Sequence, residues 1–176
     1  TREIELYQDK LCVDIDSIYL GGGTPSYIDS KYIESIVKTL HNFNLDNLKE
    51  FTIECNPNSI NKDKLLLYKD LGINRISLGV QSFDDKVLRS IGRDHSSEIA
   101  ISDIELIRNT GFDNLSFDLM LNLPNQDYKS IKNDLNIVKS ISPEHISWYS
   151  LIVEEGSRFY TLNKKGKLNL MDDDIE

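Results

Sequence analysis

Two carboxylates occur within otherwise apolar runs that have the character of buried strands. Glu54 lies in FTIEC and Asp118 lies in LSFDLML. Burying a carboxylate is costly unless it has a partner, so both positions favour side chains that contact a polar ligand. The alternative is that each carboxylate faces solvent through the two-residue alternation of a strand. Because parallel strands are usually covered on both faces, the ligand-binding interpretation is favoured.

A glutamine and an arginine lie near the ends of other apolar segments. Gln81 comes after RISLGV, and its amide offers a donor and an acceptor that suit ligand hydroxyl groups. Arg93 lies in SIGRDH, and its planar guanidinium suits a two-bond contact with a carboxylate. The alternatives are a loop-stabilising hydrogen bond for Gln81 and a solvated side chain for Arg93. His95 could be a base or a ligand, but a cap or a solvated side chain is more common, and no second histidine lies at metal-site spacing.

The stretch IYLGGGTP places three glycines, residues 21–23, between an apolar run and a helical pattern. Glycine permits positive φ and close approach of the backbone to a ligand, and α/β proteins bind ligands where strands lead into helices. The spacing matches neither GxGxxG nor a loop ending in GK[ST], so no dinucleotide fingerprint or Walker loop is indicated. A tight turn without a ligand is the alternative. GxSxG is also absent, so hydrolase chemistry has no positive support.

These residues lie in a chain that alternates short apolar runs with amphipathic helical patterns. The predicted strands cover 17–20, 50–55, 75–79, 114–120 and 145–151, and the predicted helices cover 29–41, 62–71, 84–91, 97–110 and 128–140. Gly72 and Gly111 follow predicted helices, where a left-handed residue commonly ends a helix. Repeated βα units predict a parallel sheet closed into a barrel or partial barrel. Barrels place their chemistry at the carboxyl ends of the strands, so the polar residues above are expected at one mouth.

The overall composition indicates a single soluble domain. The 176 residues are 39% hydrophobic and 28% charged, and the net charge of −9 argues against nonspecific nucleic-acid binding. No apolar run approaches the ~18 residues of a membrane span, and the polar start TREIELYQDK is not a signal peptide, so a cytoplasmic protein with reduced thiols is expected. Cys12 and Cys55 are interpreted as small packing residues. Tyr19, Trp148 and Tyr149 could pack in the core or line the mouth, and the core position is the favoured interpretation.

Five segments together resemble the radical S-adenosylmethionine (SAM) family, in its group of oxygen-independent coproporphyrinogen III oxidases. They are IYLGGGTPSYI, FTIECNPNSI, GINRISLGVQSFDDKVLRSIGRDH, GFDNLSFDLMLNLPNQ and HISWYSLIVEEGSRFY. The segments follow the family's order over almost the whole chain, and the ordered set is far more specific than GGGTP alone. Within the group, GRDH and SLIVEEGSRFY are more similar to the HemW-type haem chaperones than to the true oxidases.

The resemblance implies which residues contact the methionyl end of SAM. Gly22, Gly23 and Thr24 correspond to the loop that lies along the methionine part of the ligand. Glu54 corresponds to an acidic residue near the same end. Arg93 corresponds to the arginine that holds the SAM carboxylate.

The resemblance also implies contacts to the nucleoside end and a fold. Gln81 and Asp118 correspond to residues that bond the ribose hydroxyls, and Ile152 to one that contacts the adenine mainly through its backbone. The implied fold is a partial (β/α)6 TIM-like barrel of parallel strands. Residues 1–176 are then expected to form one fragment of a radical SAM core domain whose first strand is missing.

One departure from the family is large. The family holds a [4Fe–4S] cluster with the three thiolates of a CxxxCxxC motif, and this sequence has no such motif. The expectation is that the chain starts after the cluster loop, and that the fragment alone is inactive. The full protein would use SAM and the cluster, with a porphyrinogen or haem as ligand and a flavodoxin or ferredoxin as electron donor. Oxidase and haem chaperone both remain open, as do a non-catalytic module that has lost its cluster and a cluster-free barrel enzyme.

Overall fold

In a computed structural model, which describes residues 2–7 and 14–171, the chain forms one sheet of parallel strands. The strand order follows the chain, and every neighbouring pair is parallel. The strands are β1 (Ser17–Leu20), β2 (Glu50–Cys55), β3 (Arg75–Gln81), β4 (Asn114–Leu121) and β5 (His145–Ser150). The predicted α/β class and the five parallel strands are therefore confirmed. The sheet is an open partial barrel in which β1 and β5 lie at the edges of the described part.

Helices connect successive strands, as the right-handed crossover of parallel strands requires. The connecting helices are α2 (Ser30–Leu40), α3 (Lys62–Asp70), α4 (Asp85–Ser90), α5 (Ser97–Asn109) and α6 (Tyr128–Ile141). Two further helices, α1 (Arg2–Tyr7) and α7 (Arg158–Lys164), lie before β1 and after β5. Side chains that accept a hydrogen bond from the first helical turn set where α2, α3, α5 and α6 begin. These caps are Asp29, Asn61, Ser96 and Asp127.

The helices cover one face of the sheet. Alternate residues of β2 to β4 are apolar and nearly inaccessible, and they form a single cluster with buried residues of α2, α3, α5 and α6. From the strands these are Phe51, Ile53, Cys55, Ile76, Leu78, Val80, Leu115, Phe117 and Leu119. From the helices they are Ile33, Val37, Leu65, Tyr68, Ala100, Ile104, Ile107 and Val138. Burial of this apolar surface holds the layers together.

The opposite face of the sheet, which we call the inner face, carries the polar residues of the same alternation. Side-chain hydrogen bonds connect neighbouring strands on this face, as between Ser77 of β3 and Asp118 of β4. Glu54 and Asp118 therefore follow the two-residue alternation of their strands and lie opposite the helix-covered face. Their face is the half-buried interior of the partial barrel, so alternation and a ligand-facing position coincide.

The element boundaries agree with the predicted ones to within two residues. The largest extension is in β3, which continues beyond Gly79 to Gln81 because the pairing with β4 shifts register between Leu78 and Gln81. Gly72 and Gly111 have φ of 84° and 87°, which confirms their predicted role at helix ends. Two short helices, α1 and α7, were not predicted. Among the described residues, no helix has the length and apolar character that a membrane span requires.

Candidate functional site

The three glycines after β1 differ in their surroundings and in their backbone conformation. A Cβ on Gly21 would come within 2.9 Å of a ring carbon of Tyr19 and 3.2 Å of the Glu54 carboxylate carbon. Gly22 has a φ of 114°, which favours glycine. Gly23 has neither constraint, because a Cβ there would meet no atom of the described chain within 4 Å. Neither the packing of the described chain nor a positive φ therefore requires a glycine at position 23.

Glu54 and Asp118 lie on the inner face, each with a hydroxyl partner. The hydroxyl of Tyr19 donates to Oε1 of Glu54 at 2.8 Å. The hydroxyl of Ser77 lies 3.4 Å from both carboxylate oxygens of Asp118. Burial raises the pKa of Asp118, and the hydroxyls of Ser147 and Ser77 oppose that shift. Both carboxylates keep lone pairs that can accept hydrogen bonds from a ligand.

Arg93 reaches the carboxyl ends of β2 and β3 from the loop between α4 and α5. Its Nη2 donates to Oδ1 of Asn56 at 2.8 Å and to the carbonyl of Gly79 at 2.5 Å. Its Nε is buried and has no hydrogen-bond partner among the described residues. Burial lowers the pKa of the guanidinium, with no carboxylate bonded to it in the described structure. A buried donor of this kind is rarely left unpaired, so the site suits an anionic ligand group.

Gln81 is turned towards the same region by an unusual backbone. Its φ of 67° lies in the left-handed region, which non-glycine residues seldom occupy and which often marks functional sites. His95 supports this turn, because its Nε2–H donates to the carbonyl of Val80 at 3.3 Å. His95 is only 5% exposed, so its interpretation as a solvated side chain is wrong. The hydroxyl of Tyr149 lies 3.4 Å from Oε1 of Gln81.

The structure brings six of the eight predicted site residues to one cleft of about 250 Å³ at the carboxyl ends of the strands. They are Gly23, Thr24, Glu54, Gln81, Arg93 and Asp118. Gly22, the residue before Gly23, is exposed and does not line the cleft. Ile152 lies beyond the end of β5, is 79% exposed and is not part of the lining. The predicted convergence at one mouth therefore holds for residues from five separate segments.

Four further residues line the cleft in addition to the predicted site residues. They are Cys55, Asn56, Gly79 and Tyr149. Asn56 and Tyr149 were recognisable only as polar residues near strand ends. The interpretation of Tyr149 as a core aromatic is wrong, since its side chain is 46% exposed and reaches the cleft.

Of the remaining sequence interpretations, the one for Tyr19 is wrong and those for Trp148 and Cys55 are confirmed. Tyr19 is 56% exposed and bonded to Glu54, so its placement in the core is also wrong. Trp148 packs against the core cluster as predicted. Cys55 is buried as predicted, and burial raises the pKa of its thiol to about 12. Cys12 lies outside the described residues.

The cleft combines groups that suit a zwitterionic ligand with hydroxyl groups. Arg93 offers a cationic donor with an unpaired N–H. Glu54 offers an acceptor that suits an ammonium group. Gln81 and Asp118 offer amide and carboxylate oxygens that suit hydroxyl donors. The chemistry is that of binding and orientation, because no nucleophile and base are paired among these residues.

Comparison with known proteins gives consistent matches. Residues 1–138 match the radical SAM superfamily. The haem chaperone HemW of Bacillus subtilis is 38% identical over 159 residues, which cover 89% of this chain and 42% of that protein. HemW of Escherichia coli is 33% identical over 147 residues, which cover 83% of this chain and 39% of that protein. The chain thus spans less than half the length of these relatives.

A solved structure supports the same relationship. Coproporphyrinogen III oxidase (HemN) from Escherichia coli, described as a radical SAM enzyme, has a TM-score of 0.84 and 26% identity. The match covers 98% of this chain and 40% of that one. The family and the partial barrel predicted from the sequence are confirmed. On these matches and the fold, the chain belongs to the radical SAM superfamily, in its group of HemN- and HemW-type proteins.

Proposed function

We propose that the cleft binds SAM, the ligand from which the superfamily takes its name. The observation that carries the proposal is the convergence of six predicted residues on one lining. Two features of the unliganded chain support the fit. The Nε of Arg93 is a buried donor without a partner, and Gly23 leaves space that neither packing nor φ explains.

Each residue has a role in this proposal. Arg93 holds the carboxylate of the methionyl group, and Glu54 accepts from its ammonium group. The backbone of Gly22, Gly23 and Thr24 lies along the same group. Charge attraction and directional hydrogen bonds would together orient the sulfonium end of SAM.

The nucleoside end requires weaker, directional contacts. Gln81 and Asp118 accept hydrogen bonds from the ribose hydroxyls. Ile152 contacts the adenine through its backbone, which is compatible with its side-chain exposure of 79%. Because burial raises the pKa of Asp118, this side chain becomes protonated at a higher pH than an ordinary aspartate and then loses acceptor strength.

The described residues do not fit the second cofactor of the superfamily, the [4Fe–4S] cluster. When bound, the cluster supplies the electron for SAM cleavage and needs three thiolates. The sequence has two cysteines outside any CxxxCxxC motif. Cys55 is buried, and the pKa of its thiol is raised to about 12, so it is a poor source of thiolate.

For the whole protein, we infer a function in haem or porphyrin metabolism, as a haem chaperone of the HemW type. HemW proteins from several bacteria support this inference by name and by 33–38% identity. The oxidase alternative is supported by the HemN structure at 26% identity. A flavodoxin or ferredoxin as electron donor and a cytoplasmic location belong to the same proposal.

The test is a titration of the ¹⁵N-labelled chain with SAM, followed by NMR. We expect shift changes at residues 22–24 and at Glu54, Gln81 and Asp118. Arg93→Ala should weaken binding at least about tenfold, whereas Arg89→Ala, an exposed arginine outside the cleft lining, should leave it unchanged. Millimolar SAM without shift changes at the cleft would overturn the proposal.

A further inference from the structure

Asn56 connects the glycine loop to the arginine through a single side-chain amide. Its Oδ1 accepts from Nη2 of Arg93 at 2.8 Å. Its Nδ2 donates to Oγ1 of Thr24 at 3.0 Å. The amide therefore joins two residues that come from separate loops and that contact the same end of the proposed ligand.

The backbone beneath this amide is firmly held. The N–H of Asn56 lies 3.3 Å from Oγ of Ser26 and 3.2 Å from Oγ of Ser59, and both serines are buried. Lys64 donates through Nζ to the carbonyls of Ser26 and Ser59, at 2.6 and 3.0 Å. Asn56 thus has little freedom to move when a ligand binds.

The neighbouring strand β3 has a glycine, Gly79, where it passes closest to the Asn56 amide. A Cβ on Gly79 would come within 2.6 Å of Oδ1 of Asn56 and 3.3 Å of Nη2 of Arg93. The φ of Gly79 is not in the left-handed region, so the close approach is what requires a glycine there. Glycine also leaves its carbonyl accessible to Nη2 of Arg93. Three hydrogen bonds therefore hold Asn56 and Arg93. One joins the two residues to each other, one joins Arg93 to the carbonyl of Gly79, and one joins Asn56 to the hydroxyl of Thr24.

We propose that Asn56 is a positioning residue that fixes the direction of the Arg93 guanidinium and sets the preference for ligands carrying a carboxylate. The inference rests on the proposed SAM site. Nη2 is committed to Asn56 and Gly79, so the plane of the guanidinium is set before a ligand arrives. The unpaired Nε then has one orientation in which to meet a carboxylate. Preorganisation of this kind reduces the entropy lost on binding.

The experiment compares SAM with decarboxylated SAM, which lacks only the carboxylate, by NMR titration of the full chain. Asn56→Leu keeps the shape of the side chain and removes both hydrogen bonds. We expect this change to lower the preference for SAM over decarboxylated SAM by about tenfold, close to the worth of one charge-assisted hydrogen bond. Asn56→Asp retains an acceptor for Arg93 and should lose less of that preference. Asn136→Leu, at an exposed position on α6, is the control and should lose none.

The outcomes are distinct. Equal weakening of both ligands by Asn56→Leu would show a merely structural role and overturn the inference, as would an unchanged preference. If the unaltered chain binds neither ligand, the proposed SAM site itself has failed. A thermal melt of each variant separates loss of positioning from loss of folding.

Discussion

The hydroxyl of Tyr19 donates a 2.8 Å hydrogen bond to Oε1 of Glu54, across the pair of β1 and β2 on the inner face. One carboxylate oxygen is thereby occupied, and the other remains for a ligand. Burial, reinforced by the bond to Glu54, raises the pKa of Tyr19 to about 12. The phenol therefore stays a donor throughout the neutral and mildly alkaline range.

The first prediction concerns this pair. Glu54→Gln removes the negative charge and should lower the pKa of Tyr19 towards its ordinary value of 10.0. The measurement is the near-ultraviolet absorbance of tyrosinate during an alkaline titration, with a Tyr19→Phe curve subtracted to isolate this residue. The exposed Glu98→Gln is the control and should not move the midpoint. A midpoint near 10 in the unaltered protein would contradict the hydrogen bond.

The second prediction separates two adjacent glycines. Gly22→Ala forces a side chain into a φ of 114° and should lower the free energy of unfolding by about 1–2 kcal/mol. Gly23→Ala should leave that free energy unchanged within about 1 kcal/mol, because its Cβ contacts nothing. It should still weaken SAM binding, since the methyl adds to the cleft wall. Urea denaturation and SAM titration of both variants check the contrast, and full SAM affinity in Gly23→Ala would count against the site.

The agreement between sequence and structure has a physical basis in the strands. In β2, apolar residues such as Ile53 alternate with polar ones such as Glu54, and both faces of the sheet impose that pattern. Strand and helix positions were predictable because they depend on neighbours in the sequence. Asn56 was predictable as a polar residue at the end of a strand, but its contacts were not, because Thr24 and Arg93 lie 32 and 37 residues away.

Tyr19 shows that the direction of a strand side chain could not be predicted from the sequence alone. An aromatic residue in a short apolar strand predicts burial, but its direction depends on which face the helices cover. In β1 the helix-facing positions are Ile18 and Leu20, which pack against the core. Tyr19 falls on the inner face, and only the fold shows that the helices leave this face uncovered.

The third prediction compares two substitutions of Arg93. Arg93→Ala should weaken SAM binding by ~1.5–3 kcal/mol, the typical contribution of a hydrogen bond to a charged group. Arg93→Lys should weaken it less, because lysine keeps the charge but loses the planar fork. Calorimetry on the cluster-loaded full-length protein measures both, with thermal melts as the folding control. Equal affinities in the unaltered and alanine proteins would refute the assigned contact.

The fourth prediction concerns pH and a buried carboxyl group outside the cleft. Asp134 of α6 is 1% exposed and accepts from Oγ of Ser82 at 2.9 Å and from N of Phe83 at 2.7 Å. Burial raises its pKa to about 6 despite these bonds, and nearby Asp84 adds to the shift. The fold thus favours the protonated form. The stability that this form contributes is complete below the ordinary value of 3.8 and is lost as the pH rises through about 6.

The Asp134→Asn protein should lose that pH dependence while keeping an acceptor for Phe83. Its free energy of unfolding, relative to the unaltered protein, should rise between pH 4 and pH 7 by up to about 3 kcal/mol, from 1.36 kcal/mol per pKa unit. Urea denaturation at several pH values provides the measurement. Exposed Asp63→Asn is the control, and parallel pH profiles for the Asp134 variant and the unaltered chain would contradict the shift.

The last prediction concerns the cluster. Anaerobic reconstitution of this 176-residue chain with iron and sulfide should give no [4Fe–4S] chromophore and no SAM cleavage. Three converging thiolates are needed, and the sequence offers Cys12 and Cys55, the second buried with a thiol pKa raised to about 12. A radical SAM protein that carries CxxxCxxC, reconstituted in parallel, is the positive control. SAM should still produce NMR shift changes at the cleft, because Arg93, Glu54 and Asp118 are in place without iron. A brown product that cleaves SAM would show that other residues of this chain can bind the cluster.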